Sequence, residues 1–200
     1  MIKIHSSTAH DFDESWSMKP ARTPFHIIIF VTYGRLSYKV EGDHIDLQKG
    51  DVLFIPSGSL RGGMSDVHNR HQRYSTHFSM DSSEEIPPLF REGSWKKIRI
   101  NNFDYFKQRY TLLNQQWFSQ SPFHEILCHA ILLEMLAVLN RDAANRNLSM
   151  TKLRLVMELK KYIQNHYREN IKLNDLARFV ARSPNYVSKI FKEVSGQSPV

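Results

Sequence analysis

Residues 173–192 read LNDLARFVARSPNYVSKIFK, and the Ser183-Pro184 pair near their centre marks the start of a new helix. A serine hydroxyl accepts a hydrogen bond from a free N–H of the first helical turn, and proline at the first helical position loses no bond. Ahead of that start, Leu176 and Val180 are four residues apart, and the small residues Ala177 and Ala181 stand where a second helix would cross. Two short helices crossing steeply at a tight turn make a helix-turn-helix. The second helix would bury Val187, Ile190 and Phe191 against Leu176 and Val180, and turn Asn185, Ser188, Lys189 and Lys192 outward. That outward side suits DNA. Asparagine pairs bidentately with adenine, lysine with guanine and serine with several bases, while Lys192 is placed to meet phosphate.

Charge is partitioned in the same sense. Residues 141–200 hold twelve Lys/Arg against five Asp/Glu, a net +7, whereas residues 1–140 hold fifteen of each and are neutral. A neutral body with a basic end fits a phosphate-binding module joined to something else. A small three-helix satellite with a solvated basic surface is the other reading of the same pattern.

The segment from Thr151 to Val200 resembles the start of the DNA-binding domain of the AraC/XylS family of bacterial regulators. The resemblance rests on Asp175-Leu176-Ala177, on the run from Ser183 to Lys192 and on Ser195-Gly196-Gln197-Ser198-Pro199. It implies that Ser183, Asn185, Tyr186, Ser188, Lys189 and Lys192 form the DNA-binding set, with Asn185, Ser188 and Lys189 facing bases. Members of that family carry two such units joined by a long helix, reading successive grooves ~34 Å apart. Only the first unit is matched here, so the expectation is weak operator binding with a shallow salt dependence.

The first half has a different grammar. Phe25 to Tyr33 is β-branched and aromatic between Pro24 and Gly34. Arg35–Val40, His44–Leu47 and Arg73–Phe78 alternate polar and apolar residues, Val52–Ile55 is a short apolar strand ending at Pro56, and 58–69 reads as a loop. Strands with turns every 8–12 residues over 22–80 predict a sandwich or barrel. After a polar connection at 81–94, a helix is expected from Phe103 to Trp117. A second, capped by Ser121-Pro122, is expected to run to Leu139, apolar nearly all round. Segment 141–150 (RDAANRNLSM) is polar and reads as a linker.

Gly50-Asp51-Val52-Leu53-Phe54-Ile55-Pro56-Ser57-Gly58 resembles the second motif of the cupin barrel, the sensory domain of many AraC-type regulators. Where that motif places a metal-binding histidine this chain has Arg61, and His26 stands alone where an H-x-H pair would be needed. A metal site needs three or four convergent ligands. His68 and His71 lie close in sequence but read as an exposed loop pair. We therefore expect no metal, no cofactor, no catalytic residues and no enzyme activity. The expected effector-binding residues are His26, Tyr38, Arg61, Arg73 and His77, provided their faces point inward. A guanidinium at Arg61 suits a carboxylate, a phosphate or a sugar hydroxyl. By family analogy, an N-terminal arm carrying Trp16 and Arg22 would fold over the pocket.

Forty-one per cent apolar residues are enough for a buried core, which argues against wholesale disorder. A single cysteine, Cys128, excludes an intrachain disulfide and suits a reducing cytoplasm. The first seven residues lack the apolar stretch of a secretory signal, and no apolar run approaches a membrane span. The expected fold is α+β: a cupin-like β-barrel with two helices over 1–140, serving effector binding and dimerisation, a linker at 141–150, and a partial AraC-type DNA-binding domain at 151–200. The expected partners are DNA, a small-molecule effector such as a sugar or organic acid, and a second copy docked through helix 122–140. Alternatives that stay open are a truncated dimerisation partner that does not bind DNA, a metal-free cupin ligand-binding protein, and a cupin enzyme.

Overall fold

A computed structural model describes residues 2–12, 16–64, 70–80, 87–90, 93–145 and 150–199. Two compact units are present, Met1–Asp142 and Ala143–Val200. The first has the expected cupin-like architecture, two antiparallel sheets followed by helices. Its strands are β1 (Ile2–Phe12), β2 (Ser17–Arg22), β3 (His26–Tyr33), β4 (Arg35–Val40), β5 (Asp43–Gln48), β6 (Asp51–Ile55), β7 (Leu60–Met64), β8 (His71–Met80) and β9 (Lys96–Arg99). One sheet has the order β1-β8-β3-β6-β9 and the other β2-β7-β4-β5.

The two sheets enclose an apolar interior. Ile27, Ile29 and Val31 from β3 meet Leu53 and Ile55 from β6, Leu36, Tyr38 and Val40 from β4, and Ile45 and Leu47 from β5. The intervening residues of the five-stranded sheet face outward and are covered too. Phe30 packs against Tyr74 and against Phe103, Phe106 and Tyr110 of helix α1 (Phe103–Ser119), and the Tyr110 hydroxyl donates to the Ile28 carbonyl at 3.0 Å. A strand apolar on both faces, as β3 is, belongs to a sheet covered on both sides.

Several expectations change. The strands begin ahead of the expected 22–80 span, and the N-terminal arm is itself strand: β1 pairs along β8 and β2 pairs with β7. The loop expected at 58–69 contains β7, and residues 65–69, with His68, lie outside the described residues. The connection expected at 81–94 holds a 3₁₀ turn at Pro88–Phe90 within its described part, and β9 follows, a strand whose Lys96, Lys97 and Arg99 conceal it as a charged edge. Ser121-Pro122 does not cap the next helix. Phe123 takes a left-handed φ of 67° and helix α2 (His124–Asn145) begins one residue later. That helix also continues through Arg141–Asn145, where a linker was expected, because Asp142 is buried and accepts the Asn101 N–H at 2.9 Å.

The second unit contains α3 (Met150–Asn165), α4 (Leu173–Phe179) and α5 (Pro184–Ser195). Val156 and Leu159 of α3, Leu176 and Ala177 of α4, and Val187, Ile190 and Phe191 of α5 form its core. The turn between α4 and α5 is closed by Ala181 at φ 51° and by Ser183, whose hydroxyl accepts the Tyr186 N–H at 3.3 Å. Pro184 follows at the helix start and Gly196 ends the helix at φ 76°, a conformation that favours glycine.

Candidate ligand-binding site

Register decides which side chains enter the barrel. On β8, Arg73 lies opposite Val31, Ser75 opposite Ile29 and His77 opposite Ile27, so these three polar residues share the inward face with the apolar core. On β1, Ser6, Thr8 and His10 lie opposite His77, Ser75 and Arg73. Across the barrel, Tyr38 of β4 is opposite Gly63 of β7, and Arg61 is opposite Val40, two residues along the same face. The β1–β8 and β7–β4 side of an otherwise apolar interior is thereby lined by two guanidiniums, a phenol, imidazoles and small hydroxyls.

Their contacts form one group. Arg73 is 6% exposed, its Nη1 donates to the Tyr38 hydroxyl at 2.6 Å, and its guanidinium lies 3.9 Å from the Trp16 ring centroid. Trp16 also meets Tyr38 and His71 at centroid distances of 5.6 and 6.0 Å. Gly63 makes room for the indole, because a Cβ there would sit 2.6 Å from it. Arg61 Nη1 donates to the Met18 sulfur at 3.1 Å, a weak acceptor. Thr8 Oγ1 and His10 Nε2 are hydrogen-bonded at 2.7 Å.

The electrostatics disfavour further positive charge. Burial pushes His77 down to about 4, with help from Arg61, His10 and His5. Burial, then Arg73 and His10, pushes His71 down to about 4 as well, against a small opposing pull from Asp11. His10 is lowered by burial and by Arg73, and burial raises the Tyr38 phenol. The two strongly shifted imidazoles are thus neutral in the folded barrel at neutral pH. Their ordinary value is 6.5, so the stability they contribute is complete above that pH and is lost as pH falls toward 4. The melting temperature should therefore drop between pH 6.5 and 4.5, by the equivalent of about 1–3 kcal/mol after allowance for solvent screening. His77→Asn should flatten that drop, and a melting temperature independent of pH over this window would contradict the assignment.

Of the five residues expected to bind an effector, the structure brings Tyr38, Arg61, Arg73 and His77 together. It places His26 elsewhere. His26 pairs with Phe78 on the outward face, stacks on Phe54 at 5.7 Å and accepts the Ser57 N–H at 3.2 Å. Alternation along β3 requires this, since Ile27 points inward. Trp16 does lie over the group, while Arg22 is exposed and donates to the Gly58 carbonyl at 2.8 Å. Ser6, Thr8 and His10 were missed because β1 has no apolar alternation beyond Ile4. Among the described residues no three His, Cys, Asp or Glu side chains converge as metal ligands.

In the second unit, Asn185, Tyr186, Lys189 and Lys192 are exposed, Ser188 is half-buried, and the Ser183 hydroxyl is engaged in its cap. Asn185, Ser188, Lys189 and Lys192 follow the 3- and 4-residue spacing of one helix face, opposite the buried Val187, Ile190 and Phe191. Arg178 and Arg182, not singled out by the sequence, are exposed beside the turn and line a cleft with Asn174, Ser183 and Pro184. Among the described residues no helix is long and apolar enough to cross a membrane.

Residues 5–88 match the family described as AraC-like ligand binding domain. Over 196 residues the chain is 24% identical to the Msm operon regulatory protein of Streptococcus mutans serotype c, a match covering 93% of this chain and 68% of that one. Among solved structures, YhaK from Escherichia coli is similar at 14% identity and a TM-score of 0.40, over 50% of this chain and 44% of that one. The Schizosaccharomyces pombe Cnp3 cupin domain is similar at 12% identity and a TM-score of 0.35, over 40% and 66%. Residues 5–88 are thus similar to an AraC-like ligand binding domain, and the chain over most of its length to a regulatory protein.

Proposed function

We propose that the chain is a ligand-sensing transcriptional regulator, in which a small effector binds inside the barrel and the basic helical unit meets DNA. The observation that carries this reading is the polar lining described above: Tyr38, Arg61, Arg73 and His77 converge within an interior that is otherwise Ile, Leu and Val. A concave site with a few convergent polar groups is what small-molecule recognition uses. In this reading the site holds a ligand and performs no reaction on it.

For the DNA-facing half, the support is the partition of charge and the outward face of α5. Asn185, Ser188 and Lys189 would read bases, and Lys192, Arg178 and Arg182 would hold phosphates. A second copy would dock through the start of α2, where Ile126 is 66% exposed and Phe123, the residue just ahead of the helix, 77% exposed. An effector regulates such a dimer only if it binds one arrangement better than another, by about 1–3 kcal/mol.

Fluorescence anisotropy with a 30-base-pair duplex from upstream of the chain's own gene tests the DNA half. Lys189→Ala should weaken binding about 5- to 150-fold and reduce preference over a scrambled duplex. Arg178→Gln should weaken both duplexes alike and lower the salt slope by about one. Equal binding of both duplexes, unchanged by Lys189→Ala, would overturn the reading.

A further inference from the structure

On the outside of the barrel, the β3–β4 turn, the β5–β6 turn and the end of β9 meet the start of α1 around a cleft of about 410 Å³. It shares no lining residue with the interior group. Three of its lining residues are cations, Arg35, Lys49 and Arg99, and none is acidic. We propose that this cleft binds the phosphate group of a small molecule, held by Arg35 and Lys49 with Arg99 as a third donor. Arg35 is exposed and makes no hydrogen bond or ion pair among the described residues. The Lys49 ammonium is exposed too, and its one contact among the described residues is the Phe103 ring, 4.8 Å away at the centroid. Arg99 differs from both, because its Nη1 donates to the Asp51 carboxylate at 3.1 Å and to the Lys49 carbonyl at 2.5 Å. Gly50 admits that guanidinium: a Cβ there would stand 3.2 Å from Arg99 Cζ.

The cleft is built on backbone that is already fixed. Lys49 N–H donates to the Gly34 carbonyl at 3.2 Å, Gly50 N–H to Val31 at 2.8 Å and Ile100 N–H to Gly50 at 3.2 Å, so the turns that carry the cations are tied to one another. Little ordering is then left for a ligand to impose. The charge count selects the ligand. Arg35 and Lys49 lack a counter-charge, and a phosphate monoester carries about −1.5 to −2 at neutral pH, where a carboxylate carries a single charge. A guanidinium fork takes two phosphate oxygens, and an ammonium acts on the same group as a point charge. The surroundings disfavour a polyanion. Asp46, on the same exposed face of β5 as Gln48 of the cleft, and Asp104, next to Phe103, both stand in solvent. A duplex, with a charge every ~1.7 Å along its axis, would meet these carboxylates, whereas a single phosphate group would not.

The test is isothermal titration calorimetry of the full chain in sodium chloride buffer of matched ionic strength, with inorganic phosphate, glucose 6-phosphate and glucose. One or both phosphate probes should bind saturably and glucose should not; the two probes separate a free anion from an ester. Arg35→Gln and Lys49→Gln should each weaken that binding about tenfold or more, and both should melt like the wild type because the side chains are exposed. Proton–nitrogen correlation spectra of the wild type locate the site independently of any variant. The Gly34 and Gly50 amides should move as phosphate is added, while Gly63, on the inner wall of the barrel, stays in place. Absence of saturable binding by either probe, binding unchanged in both variants, or shifts at Gly63 without shifts at Gly34 and Gly50 would overturn the proposal. So would weaker binding of a scrambled DNA duplex by Arg35→Gln with phosphate binding unchanged, which would make the cleft a DNA-facing surface.

Discussion

Leu176→Ala should unfold the helical unit of residues 143–200 at room temperature while the barrel's own transition stays in place. Leu176 is fully buried where α4 meets α5, in a core whose remaining members are Val156, Leu159, Ala177, Val187, Ile190 and Phe191. Truncating a buried leucine costs about 2–5 kcal/mol, because contacts are lost and a cavity remains. A unit of this size buries a smaller fraction of its surface than a larger domain, and its whole stability is about 5 kcal/mol or less. The loss is therefore comparable to everything that holds the unit together. Circular dichroism should show helical signal missing at 25 °C, and DNA binding should disappear with it, since α5 presents its outward face only while its inward face is packed. Leu176→Met, which keeps volume, should cost under about 1.5 kcal/mol and retain both signals. Full helicity and undiminished DNA binding in the alanine variant would mean that α4 and α5 do not depend on this core.

Much of this helical unit was legible because local chemistry and tertiary packing agree there. Ser183 caps, Pro184 begins and Gly196 ends α5, and the apolar spacing points at the same core that the structure shows. The barrel was legible only where its inward face is apolar. β4 and β5 alternate cleanly between a packed interior and water. β1 and β7 do not, because Ser6, Thr8 and His10 on one and Arg61 and Gly63 on the other take the inward positions that hydrophobic residues would normally mark. The residues that build the candidate site therefore hide the strands that carry them. β3 failed in the opposite way. It is apolar on both faces, so alternation could not assign His26 to either, and only its pairing with Phe78 settles that it points outward. Trp16 had no periodic signal at all. Its role depends on Gly63, which lies across a strand pairing that spacing alone does not reveal.

The outward face of the five-stranded sheet gives the second large effect. Phe30→Ala should destabilise the barrel unit by about 3–5 kcal/mol, lowering its melting temperature by about 10–15 °C. Phe30 is completely buried, and its ring meets Phe106 at 5.1 Å, Phe103 at 5.5 Å and Tyr110 at 5.8 Å. These three aromatic residues are how α1 lies on the sheet, with the Tyr110 hydroxyl fastened to the Ile28 carbonyl. Removing the central ring leaves a void that neither Tyr74 nor the α1 aromatics can fill without leaving their own stacked arrangement at 5.0 Å. Phe30→Leu should lose the edge-to-face contacts but keep most of the volume, and so cost roughly half as much. Because Phe30 and Val31 alternate across β3, the alanine variant should leave the inward group at Arg73 and Tyr38 chemically intact, so ligand affinity measured well below the new melting temperature should change little. A loss of under 1 kcal/mol would show that α1 is not seated on this face, and with it the account of why β3 is apolar on both sides would fail.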